Sequence, residues 1–322
     1  MRRIDPIFYA CVIALLLAGT IHYLRPEPGY AHAVGSWLYQ PVCEVPPGRQ
    51  FGVEYYGLIY TGNTSNLVDQ RVLCLGAWEK HILQFLGQTA TALQQASATE
   101  ADDLVFVDVG ANTGLHSLYM SKRVAQVHAF DPYPPVVAKM RYNVEHNGLR
   151  NVIIHEVGLG NRAARLPFVQ PPDSNQGTGS FVTEVTRDRE EPDLELEIVV
   201  GDDYFAGHGI DRVDIMKVDV EGFEKPVLLG LRKTLNQSRP VIVFEIRADS
   251  GSAGLFNSRK DVEAALPENY LLFSFARWDS MTGSYQLGDL EVDFDSGADQ
   301  SDIVAAPAEI VDLLPRTGEP SW

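Results

Sequence analysis

The sequence predicts an α/β protein built on a doubly wound, mostly parallel sheet. The first observation is a series of short runs that are apolar almost throughout, as in parallel strands buried on both faces. The second is the alternation of these runs with segments of helical periodicity, which is typical of βαβ units. The predicted core strands are Leu104–Val109, Gln126–Phe130, Val152–Val157, Val213–Val218 and Pro240–Ile246.

Helices are expected between these strands, and the principal domain is assigned to residues 101–290. The second helix, Pro134–Asn147, is followed by Gly148, a common residue just past a helix C-terminus. The alternation of strands and helices is interrupted by a predicted hairpin insertion, with strands near Arg165–Val169 and Leu194–Val200. The remaining predicted elements are a helix from about Leu115, helices Lys225–Asn236 and Ser258–Leu266, and strands Tyr270–Ala276 and Tyr285–Gly288.

Residues 1–24 are predicted to form a transmembrane anchor. Arg2 and Arg3 precede Ile7–Leu24, which carries no formal charge except a possible one on His22 and is close to the minimum length for a bilayer crossing. A cleaved signal sequence is the alternative, because Ala31–Ala33 resembles a cleavage site. The arginines favour a cytoplasmic N-terminus. A single-pass protein facing a Golgi or ER lumen is expected in a eukaryote, and one in the inner membrane in a bacterium.

The segments that flank the principal domain differ from it in composition. Residues 25–50 are rich in proline and glycine and are predicted to be a stem or linker. Residues 51–100 are predicted to form an N-terminal helical cap, with a strand or hairpin over Phe51–Tyr60 and a helix over Asp69–Leu86. Residues 291–322 begin with an acid-rich stretch and are predicted to be a solvated C-terminal tail.

The overall charge limits the possible partners. The net charge of −17 repels phosphate backbones, so nucleic acid is not expected as substrate or partner. No CxxC motif and no Cys/His cluster at zinc spacing occurs, so no metal site is predicted. No feature of the sequence predicts the oligomeric state.

The candidate ligand site lies where the predicted strands end. The first strand carries Asp108 and is followed by a loop with Gly110, Asn112 and Gly114, whose glycines let a ligand approach the backbone. The second strand ends at Asp131, and a carboxylate at that place can accept both hydroxyls of a ribose. This pattern predicts a nucleotide-like cofactor.

Further acids follow the fourth and fifth predicted strands. Asp219 and Glu221 follow one, and Glu245 lies in the other, so carboxylates are expected around one crevice. Their mutual repulsion favours a ligand with cationic groups, such as S-adenosylmethionine with its ammonium and sulfonium. NAD is the alternative, but Asn112 stands where the Gly-x-Gly-x-x-Gly spacing requires glycine.

Blocks along the chain resemble the FkbM-type methyltransferases. They are VDVGANTGLHS (107–117), VHAFDPYP (127–134), RYNVEHNGLRNV (141–152), DIMKVDVEGFEKPVLLG (214–230) and VIVFEI (241–246), and VDQRVLCLGAWEKHIL (68–83) resembles the family's N-terminal region. The resemblance implies a Rossmann-like class I methyltransferase fold. At Asp131 the family more often has Glu, a change that keeps the carboxylate.

The resemblance also implies an activity and roles for residues. The activity is O-methylation of a hydroxyl of a sugar, glycan or lipid-linked acceptor by S-adenosylmethionine. Asp108, Gly110, Asn112 and Gly114 would hold the methionine part, Asp131 the ribose, and Asp219 the region of the transferred methyl. Methyl transfer to a hydroxyl needs a general base, and the candidates are Glu221, Glu245 and Asp219.

Two other functions stay open on the sequence alone. One is a Rossmann-like binding protein without catalysis, and the other is an NAD-dependent oxidoreductase. Individual acids also have structural explanations, since Glu221 can complement a helix dipole and Asp131 can start a turn. Their joint position at strand ends favours a site.

Overall fold

The computed structural model describes residues 45–96, 103–182, 194–247, 255–292, 294 and 300–319. The predicted membrane segment, residues 1–24, and most of the predicted stem lie outside the described residues. Within the described ranges, no helix has both the length and the apolar character that crossing a bilayer requires.

The described elements alternate much as the sequence predicts. In chain order they are β1 (Gln50–Tyr55), β2 (Leu58–Asn63), α1 (Leu67–Leu75), α2 (Lys80–Ala96), β3 (Val105–Val109), α3 (Leu115–Met120), β4 (Gln126–Phe130), α4 (Pro134–His146), β5 (Val152–His155), β6 (Gly158–Gly160), β7 (Ala164–Phe168), β8 (Leu194–Val200), α5 (Gly201–His208), β9 (Ile215–Val218), α6 (Glu224–Gly230), α7 (Arg232–Ser238), β10 (Val241–Arg247), α8 (Arg259–Ala265), β11 (Tyr270–Trp278), β12 (Tyr285–Asp289), β13 (Gln300–Pro307), a 3-10 helix (Ala308–Leu313) and β14 (Thr317–Gly318).

A nine-stranded mixed sheet forms the centre of the fold, in the order β14-β12-β11-β13-β10-β9-β3-β4-β5. The five strands from β10 to β5 are parallel, and β13, β11, β12 and β14 are antiparallel to their neighbours. This confirms the α/β class and the parallel centre of the sheet. The antiparallel half makes the sheet mixed.

Helices cover both faces of this sheet. On one face, Phe106 of β3 and Val243 of β10 belong to a buried cluster with side chains of α2, α3 and α4. On the other, Val107 and Phe244 pack with side chains of α5, α6, α7 and α8. Neighbouring residues of one strand therefore enter opposite cores, which explains why the strands are apolar almost throughout.

Two predicted helices are each broken into two. The helix expected over Asp69–Leu86 ends at Leu75, where Gly76 adopts the left-handed conformation (φ 86°) and its N–H bonds to the Val72 carbonyl. A new helix begins at Lys80. The helix expected over Lys225–Asn236 is similarly divided at Leu231. Before α1, β1 and β2 form an antiparallel hairpin.

The predicted hairpin insertion is part of a separate three-stranded sheet. Strands β7 and β8 pair antiparallel, with Leu166 opposite Leu196. Strand β6, which was not predicted, pairs parallel with the other edge of β8. The segment between β7 and β8, described as far as residue 182, matters for the site below.

The prediction of a solvated C-terminal tail over residues 291–322 is wrong for its described part. Strand β13 lies inside the central sheet, between β10 and β11, and residues 303–306 are completely buried. The physical reason is the apolar run Ile303–Ala306, which is long enough to form a strand between β10 and β11, because both neighbours supply hydrogen-bond partners for its backbone. The domain therefore continues well beyond residue 290.

Candidate active site

The site lies where the strand order reverses. After β3 the chain continues to β4 and β5 on one side, and it later forms β9 and β10 on the other side of β3. The loops that follow β3 and β9 diverge at this point and leave a crevice at the carboxyl edge of the sheet, the usual place for a ligand in such folds.

The loop after β3 is shaped by glycine. Gly110 has φ 82°, and a Cβ at this position would lie 1.7 Å from the backbone oxygen of Asp219. The N–H groups of Gly110 and Ala111 both donate to the Phe130 carbonyl at the end of β4. The loop therefore runs directly against the end of β9 and is held by β4, with no room for a side chain at Gly110.

A cavity of about 70 Å³ opens beside this loop. Five residues predicted for the site line it together: Gly110, Asn112, Asp131, Asp219 and Glu221. Phe168 at the end of β7, and Gln176 and Phe181 from the segment that follows it, also line the cavity. The structure thus brings the ends of β3, β4 and β9 together around one small cavity.

Asp131 is fixed at the end of β4. Its Oδ2 accepts a hydrogen bond from the Asn112 N–H at 2.9 Å, and its Oδ1 accepts one from the Tyr133 N–H at 2.9 Å. Burial raises the pKa of this carboxyl to about 6, although the two N–H donors oppose the increase. Each oxygen keeps one lone pair, so the carboxylate can still accept two hydroxyl donors.

Three predicted residues lie outside the wall of this cavity. Asp108 is completely buried behind the loop, where its Oδ2 accepts from Ser117 Oγ at 2.6 Å. Gly114 begins α3, and a Cβ there would meet the Met140 side chain. Glu245 lies on β10, is buried, and has a carboxylate oxygen within 4.8 Å of those of Asp219 and Glu224. These three support the site from behind.

The acids of the crevice are balanced by two cations. Lys217 of β9 bonds to Asp219 Oδ2 at 2.7 Å. Arg247 bonds to Glu221, and its Nε lies 3.2 Å from Glu245 Oε2. Burial alone would lower the pKa of Lys217, but the charges of Asp219, Glu79 and Asp108 outweigh it, so the pKa is raised and the ammonium stays charged.

Burial also raises the pKa of a carboxyl group next to the crevice. The pKa of Glu245 is raised well above its usual value by burial and then by the neighbouring charge of Asp219. In the described part of the chain, carboxylate oxygens of Asp219, Glu224 and Glu245 come within 4.8 Å of one another, a spacing that a metal ion could bridge. Glu224 Oε1 already accepts from the N–H groups of Val220 and Gly222. The expectation that no metal takes part stays a prediction.

Glu79 and His116 are not among the site residues that the sequence predicts. Glu79 Oε2 lies 3.4 Å from His116 Nε2, and both atoms are buried. Burial raises the pKa of Glu79 to about 8, while burial followed by the charge of Lys217 lowers that of His116 well below its usual value. At neutral pH the pair is therefore a protonated carboxyl beside a neutral imidazole, within the electrostatic field of Lys217 and Asp219.

Comparison with known proteins agrees with this class of α/β site. A model of the Methyltransferase FkbM domain matches residues 108–290, more than half of the chain. The chain belongs to the FkbM methyltransferase family, and its cofactor is S-adenosylmethionine.

Individual relatives are more distant. The chain is 30% identical over 149 residues to the hexuronic acid methyltransferase AglP of Haloferax volcanii, covering 46% of this chain and 58% of AglP. It is 27% identical over 161 residues to the 2-O-methyltransferase NoeI of Sinorhizobium fredii, covering 45% of this chain and 65% of NoeI. The chain thus spans less than two thirds of these relatives. A solved methyltransferase from Agrobacterium tumefaciens has a TM-score of 0.44 and 11% identity over 82% of this chain and 72% of its own.

The crevice has the chemistry that this cofactor needs. Gly110 brings backbone close to the cavity, and Asp131 presents a carboxylate with free lone pairs. Among the described residues, Asn112 Oδ1 is buried without a hydrogen-bond partner, and Asn112 lines the cavity. An unpaired buried acceptor indicates that a donor on the ligand completes it.

Proposed function

We propose that this protein is an S-adenosylmethionine-dependent O-methyltransferase that methylates a hydroxyl of a sugar, glycan or lipid-linked acceptor. The observation that carries the proposal is the joint placement of Gly110, Asn112, Asp131, Asp219 and Glu221 around one cavity, in a chain of the FkbM family. The sugar acceptor is supported by the relatives named as a hexuronic acid methyltransferase and a 2-O-methyltransferase.

The residues of the crevice would divide the work of binding. Gly110 and Asn112 would hold the methionine part, with the unpaired Asn112 Oδ1 accepting from its ammonium group. Asp131 would accept both ribose hydroxyls on its two oxygens. Asp108 and Gly114 would act from behind the wall, Asp108 by holding Ser117 and Gly114 by letting α3 begin against Met140.

The bound cofactor would supply a methyl group activated by a positively charged sulfur. The acceptor oxygen has to attack in line with the carbon–sulfur bond, and alignment of the two reactants provides much of the rate enhancement. Asp219 lines the cavity next to Gly110, and Lys217 fixes its carboxylate. Asp219 would therefore help to position the acceptor hydroxyl.

The base would take the hydroxyl proton as the new oxygen–carbon bond forms. Glu221 lines the cavity and is held by Arg247, so it is the first candidate. Glu245 shares Arg247 but does not line the cavity, and its raised pKa makes its ionised form a stronger base. Asp219 is the third candidate, since one of its carboxylate oxygens is already bonded to Lys217.

Calorimetry with S-adenosylmethionine and with NAD tests the class. The proposal expects binding of S-adenosylmethionine and not of NAD, and binding of NAD alone, or of neither, would contradict it. Turnover is then measured against sugars and glycolipids, with Glu221→Gln and Asp219→Asn compared with the wild type. Full activity in both variants would refute the assignment of these residues.

The membrane anchor over residues 1–24 and the lumenal orientation stay proposals. The sequence Asn63–Ser65 is a possible glycosylation acceptor, and Asn63 lies at the end of β2. Expression of the full chain in eukaryotic cells, followed by alkaline extraction, glycosidase treatment and protease digestion of sealed vesicles, tests both. Release of the protein by alkali would contradict the anchor, and the absence of protease protection would contradict the lumenal orientation.

A further inference from the structure

A second and much larger cavity adjoins the cofactor site. Its volume is about 930 Å³, near the upper end of the roughly 300–1,000 Å³ typical of ligand pockets. It lies between the β1–β2 hairpin, the start of α1, helix α4 and the segment before residue 177. Gln176 lines both cavities, so the two are neighbours across one side chain.

Asn66 provides an unsatisfied donor in the wall of this cavity. It is 3% exposed, and its Oδ1 caps α1 by accepting from the Asp69 N–H at 3.2 Å. This cap fixes the orientation of the amide, because a flipped amide would place two donors together. Within the part of the chain that the structure describes, Asn66 Nδ2 has no hydrogen-bond partner. Such a buried donor destabilises the folded protein unless a ligand supplies an acceptor.

The charge of the cavity wall favours a neutral ligand. Lys139 and Asp173, one basic and one acidic residue, are the charged residues that line it, and Lys139 is paired with Asp69. Asp69 is completely buried and also accepts from the Tyr60 hydroxyl at 2.6 Å and the Asn63 N–H at 2.7 Å. The ammonium of Lys139 is thus already committed, so an anionic group would gain little from it.

The remaining lining residues combine amides with aromatic rings. Gln50, Asn63 and Gln176 add donors and acceptors, and Phe51 and Tyr142 add apolar faces. Tyr142 is 54% exposed and stacks on His146 with 5.6 Å between ring centroids. Hydroxyl groups of a pyranose suit the amides, and its C–H faces can pack on the rings.

We propose that this cavity binds the carbohydrate part of the methyl acceptor as a neutral saccharide, with Asn66 Nδ2 donating to one of its oxygens. The inference rests on the proposed methyltransferase function. A saccharide held here lies next to Gln176 and hence beside the cofactor cavity, where one of its hydroxyls meets Asp219 and Glu221.

Saturation-transfer NMR and calorimetry on the full chain with saturating S-adenosylmethionine test this. The probes are methyl glycosides of glucose, galactose, mannose and N-acetylglucosamine, their disaccharides, and methyl glucuronide as the charged comparison. Asn66→Ser keeps the cap but removes the amide donor, and Tyr142→Ala removes an exposed ring. The matched controls are the reverse cap exchange Ser258→Asn on α8 and the exposed-residue truncation Leu271→Ala on β11.

The expected result is binding of a neutral saccharide that Asn66→Ser and Tyr142→Ala each weaken about fivefold or more, since one net hydrogen bond contributes about 1 kcal/mol. The control variants should bind it as the wild type does, and all four variants should bind S-adenosylmethionine unchanged. Absence of saccharide binding, binding of the glucuronide alone, or binding of the saccharide by Asn66→Ser and Tyr142→Ala as tightly as by the wild type would each overturn the inference. If the wild type did not bind S-adenosylmethionine, the proposed function would be overturned instead.

Discussion

Replacement of Gly110 by alanine tests the geometry of the candidate site most directly. The new Cβ would lie 1.7 Å from the Asp219 backbone oxygen, where ordinary contacts are 3.4–4 Å, and φ 82° is itself unfavourable for alanine. The left-handed conformation costs about 1–2 kcal/mol. Moving Asp219 away also breaks the bond from its N–H to the Val109 carbonyl, about 1 kcal/mol, and disturbs a packed core at about 1–3 kcal/mol.

Together these effects should lower the free energy of unfolding by about 4 kcal/mol. For a domain of this size, that corresponds to a fall in Tm of roughly 8–16 °C. Urea unfolding followed by circular dichroism measures the loss of stability, and calorimetry with S-adenosylmethionine measures the affinity of the protein that remains folded. We expect Gly110→Ala to lose detectable binding, because the loop after β3 and the end of β9 both line the cavity.

Two other glycines separate the effect of the left-handed backbone conformation from the effect of the steric overlap. Gly209 has φ 69°, but a Cβ added there would have no described atom within 4 Å, so Gly209→Ala should lose only about 1–2 kcal/mol. At Gly230 a Cβ would lie 2.0 Å from the Gly160 oxygen, on α6 away from the cavity lining, so Gly230→Ala should destabilise the fold but leave cofactor affinity intact. If Gly110→Ala unfolds like Gly209→Ala, or binds the cofactor like the wild type, the reasoning is refuted.

Three further perturbations have defined outcomes. Cofactor affinity of the wild type should decrease as the pH falls below about 6, because Asp131 is then protonated. The variant Asp131→Asn should bind the cofactor about tenfold more weakly and without this pH dependence. Calorimetry from pH 5 to 8 measures both affinities, and the same pH profile for both proteins would contradict the prediction. Because the pKa of Glu79 is raised from 4.5 to about 8, the folded state binds its proton more tightly than the unfolded state, so stability should decline as the pH rises from about 4.5 to 8. Glu79→Gln should show a smaller decline in urea unfolding at pH 5 and pH 8, and an identical decline would count against the raised pKa. Val304→Asp places a charge in the buried centre of β13 and should lower the free energy of unfolding by more than about 4 kcal/mol. Leu313→Asp, at a partly exposed position, should leave the free energy of unfolding nearly unchanged. Similar thermal unfolding of both variants would argue against a buried β13.

The parallel strands could be predicted because their signal is local. Strand β4, for example, lies between helices and is buried on both faces, so Gln126–Phe130 shows an apolar run with turn residues after it. Strand β13 has only the short run Ile303–Ala306, close behind several acids. Its position depends on β10 and β11, whose exposed edges it joins, and no local pattern encodes those partners.

The site shows the same division between local and non-local information. Carboxyl ends of parallel strands meet at one edge, so the proximity of Asp131, Asp219 and Glu221 follows from the strand pattern alone. Which acids face the cavity depends on how loops pack, and Asp108 instead turns inward to Ser117. Glu79 reaches His116 only because α2 packs against the sheet, and the similarity of residues 68–83 to the family was the one available signal for it.

The late position of β13 in the chain has a consequence for biosynthesis. Strand β10 is translated more than fifty residues before β13, and β11 and β12 are translated before the strand that joins them to the rest of the sheet. Until residues 300–307 leave the ribosome, the nascent chain carries an unpaired apolar strand edge on β10, which is the kind of surface that pairs with other chains. Folding of this protein during translation therefore calls for protection of that edge, and co-expression with a chaperone should raise its soluble yield.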